Sequence, residues 1–177
     1  ERCIGLKMKI YVYDPFLSQE QTEKIGAKKV ELEEILVHSD FITLHTPLTD
    51  QTKSILNRVN LSKCKNTVKI INCARGGLIV EQDLIELINE GRISGAALDV
   101  FSEEPPKNNN LFAVDNLILT PHLGASTSEA QENVAIQVAQ QIADFLNNDV
   151  IVNSINVSPI SIEDAPKLKP FIDLSLK

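Results

Sequence analysis

Apolar positions along this chain fall into short runs separated by amphipathic stretches. Residues 8–13 (MKIYVY), 41–45 (FITLH), 68–72 (VKIIN), 93–100 (ISGAALDV) and 117–120 (LILT) are apolar or β-branched and predict strands. Lys28, Lys29 and Val30 form a further short strand candidate. Helical spacing fills the gaps. Ser18 with Gln21 three residues on is a capping box, and Gly26 closes the helix it opens. Leu32, Ile35 and Leu36 recur at helical intervals, as do Leu84, Ile85, Leu87 and Ile88, a stripe that Gly91 ends. A longer helix is expected from Ser126, with Glu129 as its capping partner, to about Asn147. Its apolar face is Val134, Val138, Ile142, Phe145 and Leu146. Val80 stands where a polar cap is usual, so the helix after it should start weakly.

The strand runs do not alternate cleanly between apolar and polar, which predicts a sheet covered on both faces. Strand and helix in repeated succession imply a doubly wound parallel α/β sheet. In such sheets ligands bind beyond the carboxyl ends of the strands. Asp14, His45, Cys73, Asp99 and His122 each fall at or just after such an end, so they should line one edge and form a site.

Bulk properties narrow the classes. The chain has 177 residues, 43% hydrophobic and 23% charged, with net charge −7. That balance disfavours non-specific nucleic-acid binding, which needs a basic face. No apolar run approaches the ~20 residues that span a bilayer. Cys3, Cys64 and Cys73 are widely spaced, which argues against a disulfide framework and for a reducing, cytoplasmic setting. No cysteine–histidine cluster suggests a metal.

Several residue types suit acid–base chemistry. Histidine titrates near neutrality, so His122 can exchange a proton with a hydroxyl, and a carboxylate beside it favours the imidazolium and fixes the ring tautomer. Glu103 and Glu104 are both candidates for that carboxylate, although an acidic turn in solvent is the plainer alternative. Arg75, before Gly76 and Gly77, can grip a carboxylate in a bidentate fork or can be an ordinary loop charge. Asp14 before Pro15 can bind ribose hydroxyls or merely form a strand-to-turn contact. Cys73 has no paired base and reads as packing rather than as a nucleophile.

YDPF (Tyr13 to Phe16), HTPLT (His45 to Thr49), NCARGG (Asn72 to Gly77), GAALDVFSEEPP (Gly95 to Pro106) and PHLGAST (Pro121 to Thr127) occur in this order. Together they resemble the NAD-dependent D-2-hydroxyacid dehydrogenases, and LGAST after the histidine resembles the branch that opens serine biosynthesis. The resemblance implies a Rossmann-type sheet, NAD as cofactor and a small 2-hydroxy or 2-oxo acid as substrate. It makes Arg75, Glu104 and His122 the catalytic set, with Glu104 favoured because it directly precedes Pro105. It places Asp14, Pro15, Thr46, Cys73, Ala74, Arg75, Asp99, His122, Gly124 and Ala125 along the cofactor. Asp99 is assigned to the nicotinamide carboxamide or its ribose, and Gly124 and Ala125 to a close passage of the chain. A homo-oligomer is expected, since the family assembles through its cofactor domain. Reductases of glyoxylate or hydroxypyruvate and a corepressor branch of the superfamily share much of this set.

The resemblance also implies what to look for upstream. No GxGxxG occurs in the 177 residues, and residues 1–7 read as the last turn of the helix that follows that loop. The fold is therefore expected to lack its first strand and glycine-rich loop. In the order 3-2-1-4-5-6 the runs at 8–13 and 41–45 would be strands 2 and 3, with strand 1 central. Its absence would leave two inner edges unpaired and the piece marginally stable. Residues 1–125 are expected to form a partial cofactor domain and 126–153 a crossover helix and return strand. From 154 the chain, with Pro159, Pro166 and Pro170, would return toward a substrate domain.

Overall fold

The computed structural model describes residues 1–107 and 110–148, and beyond them residues 151, 153, 167, 168, 171 and 174. The expected return strand and the proline-bearing segment lie outside the described residues. Two compact units are present, Glu1–Gly124 and Ala125–Lys177.

In the first unit α1 (Arg2–Gly5) is followed by β1 (Tyr11–Val12), α2 (Gln19–Lys24), β2 (Lys28–Lys29), α3 (Leu32–His38) and β3 (Phe41–Leu44). Then come α4 (Arg58–Leu61), β4 (Lys69–Asn72), α5 (Glu81–Asn89), β5 (Gly95–Leu98), a 3₁₀ turn (Asn110–Ala113) and β6 (Leu117–Leu119). The Ser18 hydroxyl accepts from Gln21 N–H, and Gln21 Oε1 accepts from Ser18 N–H, the full reciprocal box. Gly26 and Gly91 follow their helices at φ 77° and 69°, the left-handed turn that glycine adopts without a Cβ penalty. Val80 caps α5 with no side-chain bond, as its residue type dictates.

Among the described residues all strand pairs are parallel, and they form two sheets, β1-β2 and β3-β4-β5-β6. This corrects one expectation. The neighbour of the 8–13 run is Lys28–Lys29, whereas Phe41–Leu44 heads the larger sheet by pairing with Lys69–Asn72. A two-lysine edge strand buries little, so its apolar signal is faint.

Burial corrects a second. Ile42, Leu44, Ile70, Ala96 and Leu98 share one face and are buried with Leu36, Leu61, Leu84, Leu87 and Ile88 from the helices. On the other face Phe41, Thr43 and Ile118 are exposed, Ile71 and Ala97 part-buried and Gly95 buried, so within the first unit that face is covered only in part. β3 alternates because only its Ile42 and Leu44 meet the helices.

A cavity of about 680 Å³ lies between β1 and β3, lined by Ile10, Tyr11, Lys28, His38, Phe41 and Thr43 among others. The Ile10 and Val12 carbonyls accept from Lys28 and Val30 N–H, so those residues face β2 and Tyr11 presents its backbone to the cavity. By the same alternation Asp40 faces β4, and Phe41 and Thr43 face away from it.

In the second unit α6 (Ser128–Asn148) begins two residues later than expected. Thr127, not Ser126, is its cap, since Thr127 Oγ1 accepts from Ala130 N–H at 3.1 Å. Val134, Val138, Ile142, Phe145 and Leu146 recur at helical spacing but are exposed. Among the described residues no helix is long and apolar enough to cross a membrane.

Candidate active site

Parallel pairing puts the carboxyl ends of β3, β4, β5 and β6 on one edge of the larger sheet. His45, Cys73, Asp99 and Thr120 are the next residues after those strands.

The loop after β4 is shaped by Asn72, a buried polar residue that motif reading passed over. Its Oδ1 accepts from Ala74 N–H at 3.1 Å and its Nδ2 donates to the Arg75 carbonyl at 2.9 Å, folding the chain back at once. Arg75 is thereby held exposed, its guanidinium donating to the Ala74 carbonyl at 2.6 Å. No carboxylate pairs with it among the described residues. Cys73 is exposed. The packing expected of it is not seen within the protein, because the alternation of β4 puts Cys73 on the side opposite buried Asn72. The buried cysteine is Cys64, whose thiol burial pushes up to about 11.

Gly76 brings two loops together. A Cβ there would sit 1.7 Å from the Phe101 carbonyl oxygen, so only glycine lets the β4 loop lie against the backbone after β5. Phe101 N–H in turn donates to Glu104 Oε1 at 3.0 Å, which fixes the carboxylate in its turn.

Glu104 Oε2 lies 2.6 Å from His122 Nδ1. Glu104, rather than Glu103, is therefore the partner of the imidazole. The pair is partly open, with side-chain exposures of 34% and 48%. The His122 bond and then the Phe101 N–H hold the Glu104 carboxyl below the usual carboxylate range, against the effect of burial.

Asp99, only 6% exposed, turns its carboxylate toward the segment that carries His122. Oδ1 accepts from the Thr120 hydroxyl at 2.6 Å and from Leu123 N–H at 2.8 Å, and Oδ2 from Gly124 N–H at 3.1 Å. Burial pushes this carboxyl up, and the bonds from Thr120, Leu123 and Gly124 outweigh it and hold it low. Thr120 is a second residue that sequence reading missed. A hydroxyl at a strand end beside a buried aspartate was the available signal.

The remaining expected residues are dispersed. Asp14 closes β1, where its Oδ1 accepts from Phe16 N–H at 2.7 Å and Leu17 N–H at 3.3 Å. That oxygen makes the ordinary turn contact, while Oδ2 has no partner among the described residues. Pro15 is exposed beside it. Thr46 Oγ1 donates to the Pro47 carbonyl at 3.4 Å, and His45 Nε2 pairs with Thr43 Oγ1 at 3.0 Å. Ala125 opens the second unit.

A parallel α/β sheet with a carboxylate–imidazole couple at its carboxyl edge is an arrangement that suits a ligand-binding domain with acid–base chemistry. Residues 1–124 match the family model of the D-isomer specific 2-hydroxyacid dehydrogenase, NAD binding domain, and the chain belongs to that family. It is 44% identical over its whole length to D-3-phosphoglycerate dehydrogenase of Bacillus subtilis (strain 168), covering 34% of that protein. It is 40% identical over 98% of its length to the Homo sapiens D-3-phosphoglycerate dehydrogenase, covering 33%. The chain thus spans about a third of the length of these curated relatives. Among solved structures, a glyoxylate reductase from Paecilomyes thermophila aligns with a TM-score of 0.77 at 29% identity, over 88% of this chain and 47% of that one. D-lactate dehydrogenase from Aquifex aeolicus, solved with NAD and lactic acid, aligns at 0.69 and 30% identity, over 82% and 48%.

Proposed function

We propose that this chain is the cofactor-binding and proton-transferring segment of an enzyme that oxidises D-3-phosphoglycerate to 3-phosphohydroxypyruvate with NAD. The observation that carries the reading is the 2.6 Å bond between Glu104 and His122 at the carboxyl edge of the sheet. The whole-length identity to D-3-phosphoglycerate dehydrogenases favours this substrate over others in the family.

The residues present fit NAD at its two ends. The open Oδ2 of Asp14 can accept from the adenosine ribose hydroxyls and would repel a 2′-phosphate, with Pro15 fixing the turn. Thr46, Cys73, Ala74 and Gly124 are small residues able to lie along the dinucleotide. Asp99 uses three of the roughly four acceptor directions of a carboxylate, which leaves one for a carboxamide N–H. A pyrophosphate-binding GxGxxG is not among the contacts these 177 residues supply.

Bound NAD supplies the hydride acceptor. Arg75 pairs with the substrate carboxylate and fixes which face of the hydroxyl-bearing carbon is presented. His122, with Nδ1 held by Glu104, takes the hydroxyl proton at Nε2. Glu104 then faces an imidazolium, whose charge it offsets. In the reverse direction His122 returns the proton to the carbonyl oxygen. The second reading, a glyoxylate or hydroxypyruvate reductase, uses the same couple in that reverse sense, and the likeness to a glyoxylate reductase favours it. We place the complete protein in the cytoplasm as a homo-oligomer.

The test is turnover by the complete polypeptide that carries this sequence. Reduction of NAD with D-3-phosphoglycerate, and not only oxidation of NADH with glyoxylate or hydroxypyruvate, is the expected result. His122→Ala should lower turnover roughly 10²- to 10⁴-fold and keep NAD binding. Unchanged turnover in that variant would remove the base from the proposal.

A further inference from the structure

His122 has φ 56°, a left-handed conformation that residues bearing a Cβ disfavour. The next two N–H groups, of Leu123 and Gly124, both point at Asp99. Successive backbone N–H groups gathered by a left-handed residue form a concave anion site, and here the anion is a side chain of the same fold. The Asp99 backbone is itself anchored by its N–H to the Asn72 carbonyl at 2.9 Å, in line with the sheet. Thr120, the residue after β6, donates to the same carboxylate, and its N–H is held by Leu98 at 3.0 Å. His122 lies between Thr120 and Leu123, so the residues on both sides of it bond to the Asp99 carboxylate.

We propose that Asp99 is a positioning residue: its carboxylate fills the N–H nest of Leu123 and Gly124 and so holds His122 in the left-handed conformation that presents its ring to Glu104. The carboxylate offsets the backbone preference that would otherwise return His122 to negative φ. Return to negative φ turns both N–H groups away and carries the imidazole off Glu104. The catalytic consequence rests on the function proposed above, whereas the geometric claim stands apart from it.

Two measurements on the complete polypeptide separate the claims. The first is amide hydrogen exchange at Leu123 and Gly124 in the parent and in Asp99→Asn, which keeps the shape and removes the charge. Exchange should quicken roughly tenfold or more at these two amides. Unchanged exchange would overturn the clamp whether or not the protein turns over a hydroxy acid. The second is a double-mutant cycle on kcat. Asp99→Asn should lower kcat roughly ten- to a hundredfold beside His122, and by less than about twofold in a His122→Ala background. The same factor in both backgrounds would mean that Asp99 acts without His122, and would overturn the positioning role. Absence of turnover in the parent would end the functional reading and leave the exchange result to decide the clamp. If Asp99→Asn does not fold, Thr120→Val removes one donor from the same carboxylate. It should quicken the same two amides by a smaller factor, and no change there would count against the proposal.

Discussion

Glu104 Oε2 and His122 Nδ1 meet at 2.6 Å although the residues belong to different loops, one following β5 and one following β6. The bond engages Nδ1, and the proposed proton exchange is therefore assigned to Nε2. Glu104→Gln keeps the shape and removes the charge, so kcat should fall by roughly a hundredfold, with little change in cofactor affinity. The pH dependence of stability has a defined sign. The carboxyl is held below its ordinary value by the His122 bond first and the Phe101 N–H next. A depressed carboxyl contributes stability above its unfolded value of ~4.3, and that contribution vanishes as pH falls through the folded value. The variant should therefore be less stable than the parent near neutrality, and the two should converge in acid. Denaturant titrations from about pH 3 to about pH 7 would show this. A gap that widens toward acid would contradict it.

Arg75 should act on the substrate rather than on the fold, since among the described residues its guanidinium bonds only to the neighbouring Ala74 carbonyl. Arg75→Lys keeps the charge and loses the fork. A loss of roughly ten- to a hundredfold in kcat/KM is expected, mostly in KM, with an unchanged melting temperature. Steady-state kinetics with varied hydroxy acid would decide it, and an effect confined to the KM for NAD would reassign the residue.

Gly76→Ala should be costly for a reason independent of backbone preference. The added methyl would meet the Phe101 carbonyl oxygen at 1.7 Å, and that atom is backbone held near β5. Separation of the two loops should cost ~3 kcal/mol or more and also weaken the Glu104 turn. At Gly91 no atom lies within 4 Å of an added Cβ. Only its left-handed φ resists substitution there, and Gly91→Ala should cost ~1–2 kcal/mol. Thermal melts of the two variants that came out equal would deny the close approach.

The contrast between these glycines shows what the sequence carries. Gly26 and Gly91 end helices, and the Ser18–Gln21 box starts one, through contacts a few residues long that a linear pattern records. The Glu104–His122 couple was legible only through ordered motifs, because no local rule joins residues 18 apart. The run at 41–45 was wrongly numbered next to 8–13, because the Lys28–Lys29 strand that takes that place has a faint apolar signal. The buried Asn72 and the N–H nest around Asp99 were not legible. Their roles depend on backbone directions that appear only after the β4 and β6 loops have turned.

Val80 caps α5 in an extended conformation, φ −78° and ψ 101°, and makes no side-chain cap bond. Threonine has nearly the same shape and adds a hydroxyl there. Val80→Thr should therefore stabilise the protein by ~0.5–1 kcal/mol without touching the strand-edge site. Denaturant midpoints would measure the gain. A loss would mean that the partly buried valine packs better than the hydroxyl caps.

The cavity between β1 and β3 separates two sheets of unequal strength. β1 and β2 are two residues long and, among the described residues, pair only with each other, whereas β3 to β6 form a continuous four-stranded ladder over the main core. A two-stranded pairing is marginal in water unless further strands or a packed face support it. The β1-β2 pair has only Val30 buried at its end. Its amides at Lys28 and Val30 should therefore exchange through local opening, at a rate set by far less than the global stability. Those of Ile70, Ala97 and Leu98 should wait for global unfolding. In residues 1–177 produced alone, the difference should reach a factor of roughly a hundred or more in exchange rate. Equal protection in both sheets would show that the cavity does not divide the unit energetically, and that the edges at Tyr11 and Phe41 are held by something other than a partner strand.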